Sequence, residues 1–255
     1  YRTQRRGGRG ISGVARKDED FVEDMFITST HDYVLFFTNR GKMYRMKGYE
    51  IPETGRAARG SHVVNLLPIE KDEKISAMIR VDEVENDSYL VMVTRNGTIK
   101  RTALSAYRNV RKGGIIAINL EEGDELAWVR NTTGEDDLII ATRQGVAIRF
   151  AESDVRPMGR TATGVRAIRL DEGDEVIAMA TCEEGGYLLT VTENGQGRRT
   201  ALGEYRTQNR GGRGVRNYDC EGKGTLVAGV RVVGEEDDVI LIADDGIIIR
   251  IPREQ

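Results

Sequence analysis

The chain has 255 residues, 31% of them charged and 6% aromatic, with a formal net charge of −3. This length suits one large all-β domain or two ordinary ones, and the apolar runs are strand-sized, too short to span a membrane. A slightly acidic total speaks against a simple nucleic-acid binder, which is expected to be basic, and no charged-then-apolar leader marks a secretory signal.

The first informative stretch is Gln4-Arg5-Arg6-Gly7-Gly8-Arg9-Gly10. Arginine supplies fork-shaped donors that suit phosphate oxygens, and glycine lets successive N–H groups form an anion-binding nest. A near-copy follows much later as Gln208-Asn209-Arg210-Gly211-Gly212-Arg213-Gly214, and both copies carry a Tyr-Arg-Thr lead-in, at Tyr1-Arg2-Thr3 and Tyr205-Arg206-Thr207. A chance motif would not bring its flank along, so the basic loop belongs to a repeat. The start at Tyr1 is read as the edge of a piece excised from a longer protein.

The repeat is set by its turns. Thr38-Asn39-Arg40-Gly41, Thr94-Arg95-Asn96-Gly97, Thr142-Arg143-Gln144-Gly145 and Thr192-Glu193-Asn194-Gly195 recur at about fifty residues, a propeller-blade spacing, and Ala243-Asp244-Asp245-Gly246 is a fifth copy. Asn-Gly and Asp-Gly point to hairpins with type I′ turns. Each turn follows a run of consecutive apolar residues, at 33–37, 89–93, 138–140, 187–189 and 239–242, so both faces of these strands should be buried between stacked sheets. Tyr33, Tyr89 and Tyr187 are placed in that core, as is Trp128. Four residues after each turn glycine stands an arginine: Arg45, Arg101, Arg149, Arg199 and Arg250. Its recurrence argues for a ligand-facing role over a solvated edge charge that deters strand pairing.

The second half of each repeat is a glycine loop, with Gly10, Gly60, Gly114, Gly164 and Gly214, and Arg6, Arg56, Val110, Arg160 and Arg210 four residues earlier, arginine at all but one. A second hairpin is expected around acidic turns such as Glu121-Glu122-Gly123-Asp124-Glu125 and Asp171-Glu172-Gly173-Asp174-Glu175. The acidic turns and the arginine loops are separate, so a near-neutral total can still present a basic stripe. The repeats run approximately 1–31 (half), 32–87, 88–135, 136–184, 185–236 and 237–255 (half), within a single domain 1–255. The two ends either complete one another in a five-bladed ring or belong to a larger one. Cys182 and Cys220 form no CxxC and are read as buried thiols in a reducing cytosol.

Residues 4–10 match every position of the gyrase A box, and the likeness extends through Met46-Lys47, Ala58-Arg59-Gly60, Gly123-Asp124-Glu125-Leu126, Val155-Arg156-Pro157-Met158-Gly159 and Thr163-Gly164-Val165-Arg166. The chain thus resembles the C-terminal domain of the DNA gyrase A protein. The resemblance implies an all-β β-pinwheel of four-stranded blades of about fifty residues, five blade equivalents here and six in the intact domain. It also implies duplex DNA wrapped on a basic outer rim with fixed hand, so that a type II topoisomerase, an isomerase, introduces negative supercoils at the expense of ATP. This piece would be non-catalytic and without cofactor; the nucleophilic tyrosine, ATP and Mg belong to the rest of the gyrase A protein and to the gyrase B protein in an A2B2 holoenzyme. The setting would be the bacterial cytoplasm, on the nucleoid, with no membrane partner. The DNA-binding candidates are Gln4, Arg5, Arg6, Gly7, Gly8, Arg9, Gly10, Arg45, Lys47, Lys100, Arg101, Arg149, Arg198, Arg199, Arg210 and Arg213. The box favours gyrase over its relative topoisomerase IV, while the second copy departs from the motif at Asn209.

Two readings from other classes stand beside this one. A propeller-type protein-interaction scaffold would suit the net charge, although the repeats lack a Trp-Asp signature. An enzyme in its own right finds no support in His31 and His62, the only histidines, and no Walker loop, zinc spacing or carboxylate dyad stands out. A disordered RGG tail is disfavoured because the box is single and leads into strand-forming sequence.

Overall fold

The computed structural model describes residues 27–55, 58–82, 87–235, 239–242 and 248–251. The box at 4–10, Arg2, Arg56 and the fifth turn lie outside the described residues. In chain order the strands are β1 (Tyr33–Thr38), β2 (Lys42–Lys47), β3 (Ile75–Val81), β4 (Tyr89–Thr94), β5 (Thr98–Ala103), β6 (Ile115–Ile116), β7 (Leu126–Thr132), β8 (Asp137–Thr142) and β9 (Val146–Ala151). They continue as β10 (Val165–Arg166), β11 (Val176–Thr181), β12 (Tyr187–Thr192), β13 (Gly197–Ala201), β14 (Val215–Arg216), β15 (Val227–Val233), β16 (Val239–Ile242) and β17 (Ile248–Ile251). The α-helix among the described residues is one turn, α1 (Cys220–Lys223). No helix there is long and apolar enough to cross a membrane.

The hairpin turns differ in detail from the sequence expectation. Gly41, Gly97, Gly145 and Gly195 take φ of +79° to +89°, but no described non-glycine residue has positive φ, so these are not type I′ turns. A left-handed non-glycine residue costs about 1–2 kcal/mol, and the chain instead turns through right-handed residues before a single left-handed glycine. Threonine completes the turn: the hydroxyls of Thr38, Thr94, Thr142 and Thr192 accept the N–H of Lys42, Thr98, Val146 and Gln196 at 3.1–3.3 Å.

Three sheets have four strands, in the orders β3-β1-β2-β6, β7-β4-β5-β10 and β11-β8-β9-β14, and a fourth has β15-β12-β13. The strand pairs are antiparallel. The outer strand of each four-stranded sheet, the one beside the second strand of the hairpin, comes from the following repeat: β6 sits beyond the second hairpin yet joins the first sheet, and β10 and β14 repeat the exchange. This is the all-β pinwheel. It also corrects the expected second hairpin, because the arms of each acidic turn do not pair with each other. The carbonyl of Gly41 accepts both Ala117 and Ile118 N–H, Gly97 accepts Ala167 and Ile168, and Gly145 accepts Asn217 and Tyr218. The chain is thereby committed to the preceding blade before it reaches the acidic turn. Beyond that turn Glu125 accepts Arg95 N–H of its own repeat, while Leu126 donates to Asn39 of the repeat before; Glu175 and Val176 do the same with Arg143 and Arg95.

The core lies between sheets. Val91, Val93 and Ile99 of one blade pack with Leu138, Ile140, Ile148 and Phe150 of the next. In β1, β4 and β8 five consecutive residues are buried, as expected of strands covered on both faces. Strand β12 differs: Leu189 and Val191 are only half-buried, so its burial alternates like that of a strand covered on one face. Burying each such aliphatic side chain contributes roughly 1.5–3 kcal/mol.

Two glycines with the same backbone conformation test the exchange. At Gly145 an added Cβ would collide with the Tyr218 carbonyl oxygen, whereas at Gly195 nothing lies within 4 Å. Gly195→Ala is expected to cost only the left-handed strain, about 1–2 kcal/mol. Gly145→Ala should cost clearly more by also displacing β14, as denaturant unfolding of the two variants will show.

Candidate nucleic-acid interface

The recurring arginine sits on the second strand of each hairpin, paired with the third residue of the first strand and diagonal to the hairpin's first residue. The Arg45, Arg101 and Arg199 guanidiniums lie 4.6 Å over the rings of Tyr33, Tyr89 and Tyr187. These tyrosines are half-buried platforms, not the core residues the sequence suggested, because a stacked guanidinium covers one face of each ring. The third blade has Asp137 at this position, and its carboxylate accepts Arg149 Nη2 at 2.9 Å and Nε at 3.1 Å.

These arginines then reach the next blade. Arg45 Nη1 donates to the Arg108 carbonyl at 2.7 Å, Arg101 Nε to Val155 at 2.6 Å, and Arg149 Nη1 to Leu202 at 3.0 Å. Each acceptor lies in or just after a short 3-10 turn that follows the next hairpin, at Leu104–Tyr107, Glu152–Asp154 and Leu202–Glu204. The recurrence therefore marks a clasp between blades. The arginines of the glycine loops clasp in the same way: Arg160 bonds the Ile116 carbonyl, and Arg210 the carbonyls of Arg166 at 2.5 Å and Asp154 at 3.3 Å.

Two of the sequence candidates are corrected outright. Lys100 is 0% exposed, and its ammonium donates to the carbonyls of Ala117, Arg160 and, at 3.5 Å, Gly159. Burial, with Arg160 nearby, pushes its pKa down to about 7. Arg101 has a side chain only 8% exposed. Neither can reach a ligand on the surface. Arg45, Lys47, Arg149 and Arg210 are half-buried, and Lys47 Nζ bonds the His31 carbonyl at 3.2 Å while lying 3.8 Å over Tyr33. Arg198, Arg199 and Arg213 are exposed. Gln4, Arg5, Arg6, Gly7, Gly8, Arg9 and Gly10 lie outside the described residues.

A second arginine series emerges that the turn-based alignment did not single out. Arg108, Arg156 and Arg206 are all exposed, each directly after a buried anchor, Tyr107, Val155 or Tyr205. Arg166 and Arg216, on the outer strands β10 and β14, are exposed too. The signal was present in the Tyr-Arg lead-in that precedes each basic loop copy. The acidic turns fold against the hairpin turns. Asp124 and Asp174 accept the N–H groups of Asn96 and Gln144 in the hairpin turns at 3.1 and 2.9 Å, and Arg95 and Arg143 pair with Glu125 and Glu193 at 3.1 and 2.7 Å. Those pairs are exposed and contribute little to stability. Cys182 and Cys220 are free thiols.

The model of the family described as "DNA gyrase C-terminal domain, beta-propeller" matches residues 1–29, 32–82, 88–133, 136–183 and 186–233. The DNA gyrase A protein of Clostridium acetobutylicum is 54% identical over 251 residues, covering 98% of this chain and 30% of that protein. Among solved structures, the C-terminal domain of a DNA topoisomerase IV superposes with a TM-score of 0.84 at 29% identity, over 95% of this chain and 76% of that one. A DNA gyrase A C-terminal domain superposes with 0.73 at 26% identity, over 89% and 74%. The fold is thus that of the type IIA topoisomerase pinwheel, and the chain belongs to the DNA gyrase C-terminal domain family. It spans about a third of the length of that curated relative.

Glu152 adds a titratable group at one clasp. It is wholly buried, with Oε1 3.7 Å from Arg101 Nη1. Burial raises its pKa above the ordinary 4.5, and the nearby Thr132 hydroxyl and Arg101 guanidinium do not cancel the rise. Between 4.5 and that raised value the folded chain holds a proton that the unfolded chain releases, so stability from this residue falls as pH rises through the window. Glu152→Gln should remove that part of the slope in thermal melts between pH 4 and 7.

Proposed function

We propose that this chain bends duplex DNA along the arginines of its outer strands and glycine loops, wrapping it with a fixed hand so that gyrase can introduce negative supercoils. The observation that carries this is the recurrence of exposed arginine at Arg108, Arg156 and Arg206, with Arg166 and Arg216 exposed on the outer strands β10 and β14. In sequence Arg2, after Tyr1, continues the same series, and the box arginines Arg5, Arg6 and Arg9 follow it.

The energetics require a series. Bending 20–30 base pairs by 40–90° costs about 1–6 kcal/mol, and one hydrogen bond to a charged group contributes about 1.5–3 kcal/mol. Spaced arginines acting together are what hold such a bend, and they recognise backbone and shape in preference to base edges. The clasped arginines serve indirectly, by fixing the angle from blade to blade. In this reading the chain is the non-catalytic DNA-handling part of a type II topoisomerase. The chemistry comes from the catalytic tyrosine in the rest of the gyrase A protein and from the ATPase, with its Mg, of the gyrase B protein. The two proteins work as an A2B2 assembly on the bacterial nucleoid.

Binding of a labelled duplex across a salt series tests this. Affinity should fall steeply with salt, by about 0.9 in log–log slope for each phosphate contact. The pair Arg156→Ala/Arg206→Ala should reduce that slope by roughly 2. Retention of the full slope and affinity in the double variant would contradict the assignment.

A further inference from the structure

The cleft beside the outer strand β6 differs from its counterparts. It has a volume of about 600 Å³ and is lined by Arg45, Arg108, Arg111 and Arg160; none of the described residues lining it is acidic. The cleft of about 1010 Å³ beside β14 mixes Arg213 and Arg216 with Asp171, Glu193, Asp219 and Glu221. The one of about 490 Å³ beside β10 sets Glu121 among Arg166 and Arg169.

A difference in loop length underlies the contrast. Seven positions separate Tyr107 from Gly114, but nine separate Val155 from Gly164 and Tyr205 from Gly214. In the two longer loops Met158 and Gln208 donate N–H to the carbonyls of Arg101 and Arg149 at 2.8 Å, laying the loop over the recurring arginine. In the shorter loop Arg45 lines the cleft and itself reaches out to the Arg108 carbonyl.

The Arg45 and Arg160 guanidiniums are fixed in advance. Arg45 is stacked on Tyr33 and bonded to Arg108, and Arg160 is bonded to the Ile116 carbonyl. A guanidinium has five N–H donors in a rigid fork, so one carbonyl does not exhaust it. Arg108 and Arg111 stand exposed at the mouth. Like charges gathered around one cavity repel, and a tetrahedral oxyanion both relieves that repulsion and matches the planar forks.

We propose that this cleft is a phosphate pocket, which seats one backbone phosphate of bound duplex or the same group of a free polyphosphate. With DNA as the occupant, it fixes where the duplex crosses from the first blade to the second; that part rests on the DNA-binding function proposed above. The pocket is a consequence of the short loop, so the other described blade junctions lack an equivalent.

The test uses the 255-residue chain with two probes, inorganic pyrophosphate by calorimetry and a labelled duplex across a salt series. Arg108→Ala/Arg111→Ala is compared with Arg95→Ala/Arg143→Ala, which removes the same charge at the hairpin turns. The expected result is one pyrophosphate per chain, lost in the first double variant and kept in the second. The DNA salt slope of the first variant should also fall by roughly 0.9 to 1.8. Loss of pyrophosphate binding alone would identify a free polyphosphate as the occupant, and a reduced DNA slope alone would identify the DNA diester. If the Arg108→Ala/Arg111→Ala chain matches the parent with both probes, the pocket is refuted. If the parent itself fails to bind duplex at low salt, the DNA function fails while the pyrophosphate arm still decides the pocket.

Discussion

The carbonyls of the hairpin glycines Gly41, Gly97 and Gly145 hold the exchange of strands between blades. Gly41, Gly97 and Gly145 are left-handed, and each carbonyl accepts two successive N–H groups from the repeat that follows. A side chain at Gly145 has no room, because the incoming backbone lies against its α-carbon. That contact sends the short strands β6, β10 and β14 to the outer edge of a neighbouring sheet. It also draws apolar residues of adjacent blades into shared clusters. The exposed arginines of the outer edge are placed there by the same exchange.

Two populations of arginine divide the remaining work. One is inward: Arg45, Arg101, Arg149, Arg160 and Arg210 bond carbonyls across blade boundaries, some of them stacked on tyrosine. Lys100 joins them as a fully buried ammonium among carbonyl oxygens. The other is outward, at Arg108, Arg156, Arg166, Arg206 and Arg216. A charge-assisted bond is directional and stronger than a neutral one, so clasps of this kind hold the angle between blades more firmly than apolar packing alone. A bent duplex needs contacts at set spacing, and a rigid disc provides it where a flexible basic tail would not.

Much of this was legible in the sequence, and the exceptions share a cause. The Thr-x-x-Gly turns and the uninterrupted apolar runs marked hairpins buried on both faces, which is what β1, β4 and β8 show. The turn type was misread because Asn96-Gly97 resembles a type I′ pair, while the Thr94 hydroxyl supports a turn that needs only one left-handed residue. The acidic turns looked like hairpin tips because local sequence does not reveal that their two arms pair with different sheets. Arg101 and Lys100 were assigned to DNA because recurrence and charge suggest a ligand, yet recurrence serves a clasp between blades equally well. The outward series was overlooked because the hairpin glycines set the alignment; with the buried anchors Tyr107, Val155 and Tyr205 as reference, Arg108, Arg156 and Arg206 fall into line.

The central claim is that this arrangement imposes a handed path on DNA, beyond holding it. Ligation of nicked circular DNA in the presence of increasing amounts of the chain, followed by separation of topoisomers, measures that directly. The expected result is a linking-number shift that grows with protein and vanishes when Arg5, Arg6 and Arg9 are replaced by alanine, while weaker duplex binding by the outer-strand arginines persists. Tight binding at low salt with no shift in linking number would contradict it, and would leave a disc that holds DNA without giving it a hand.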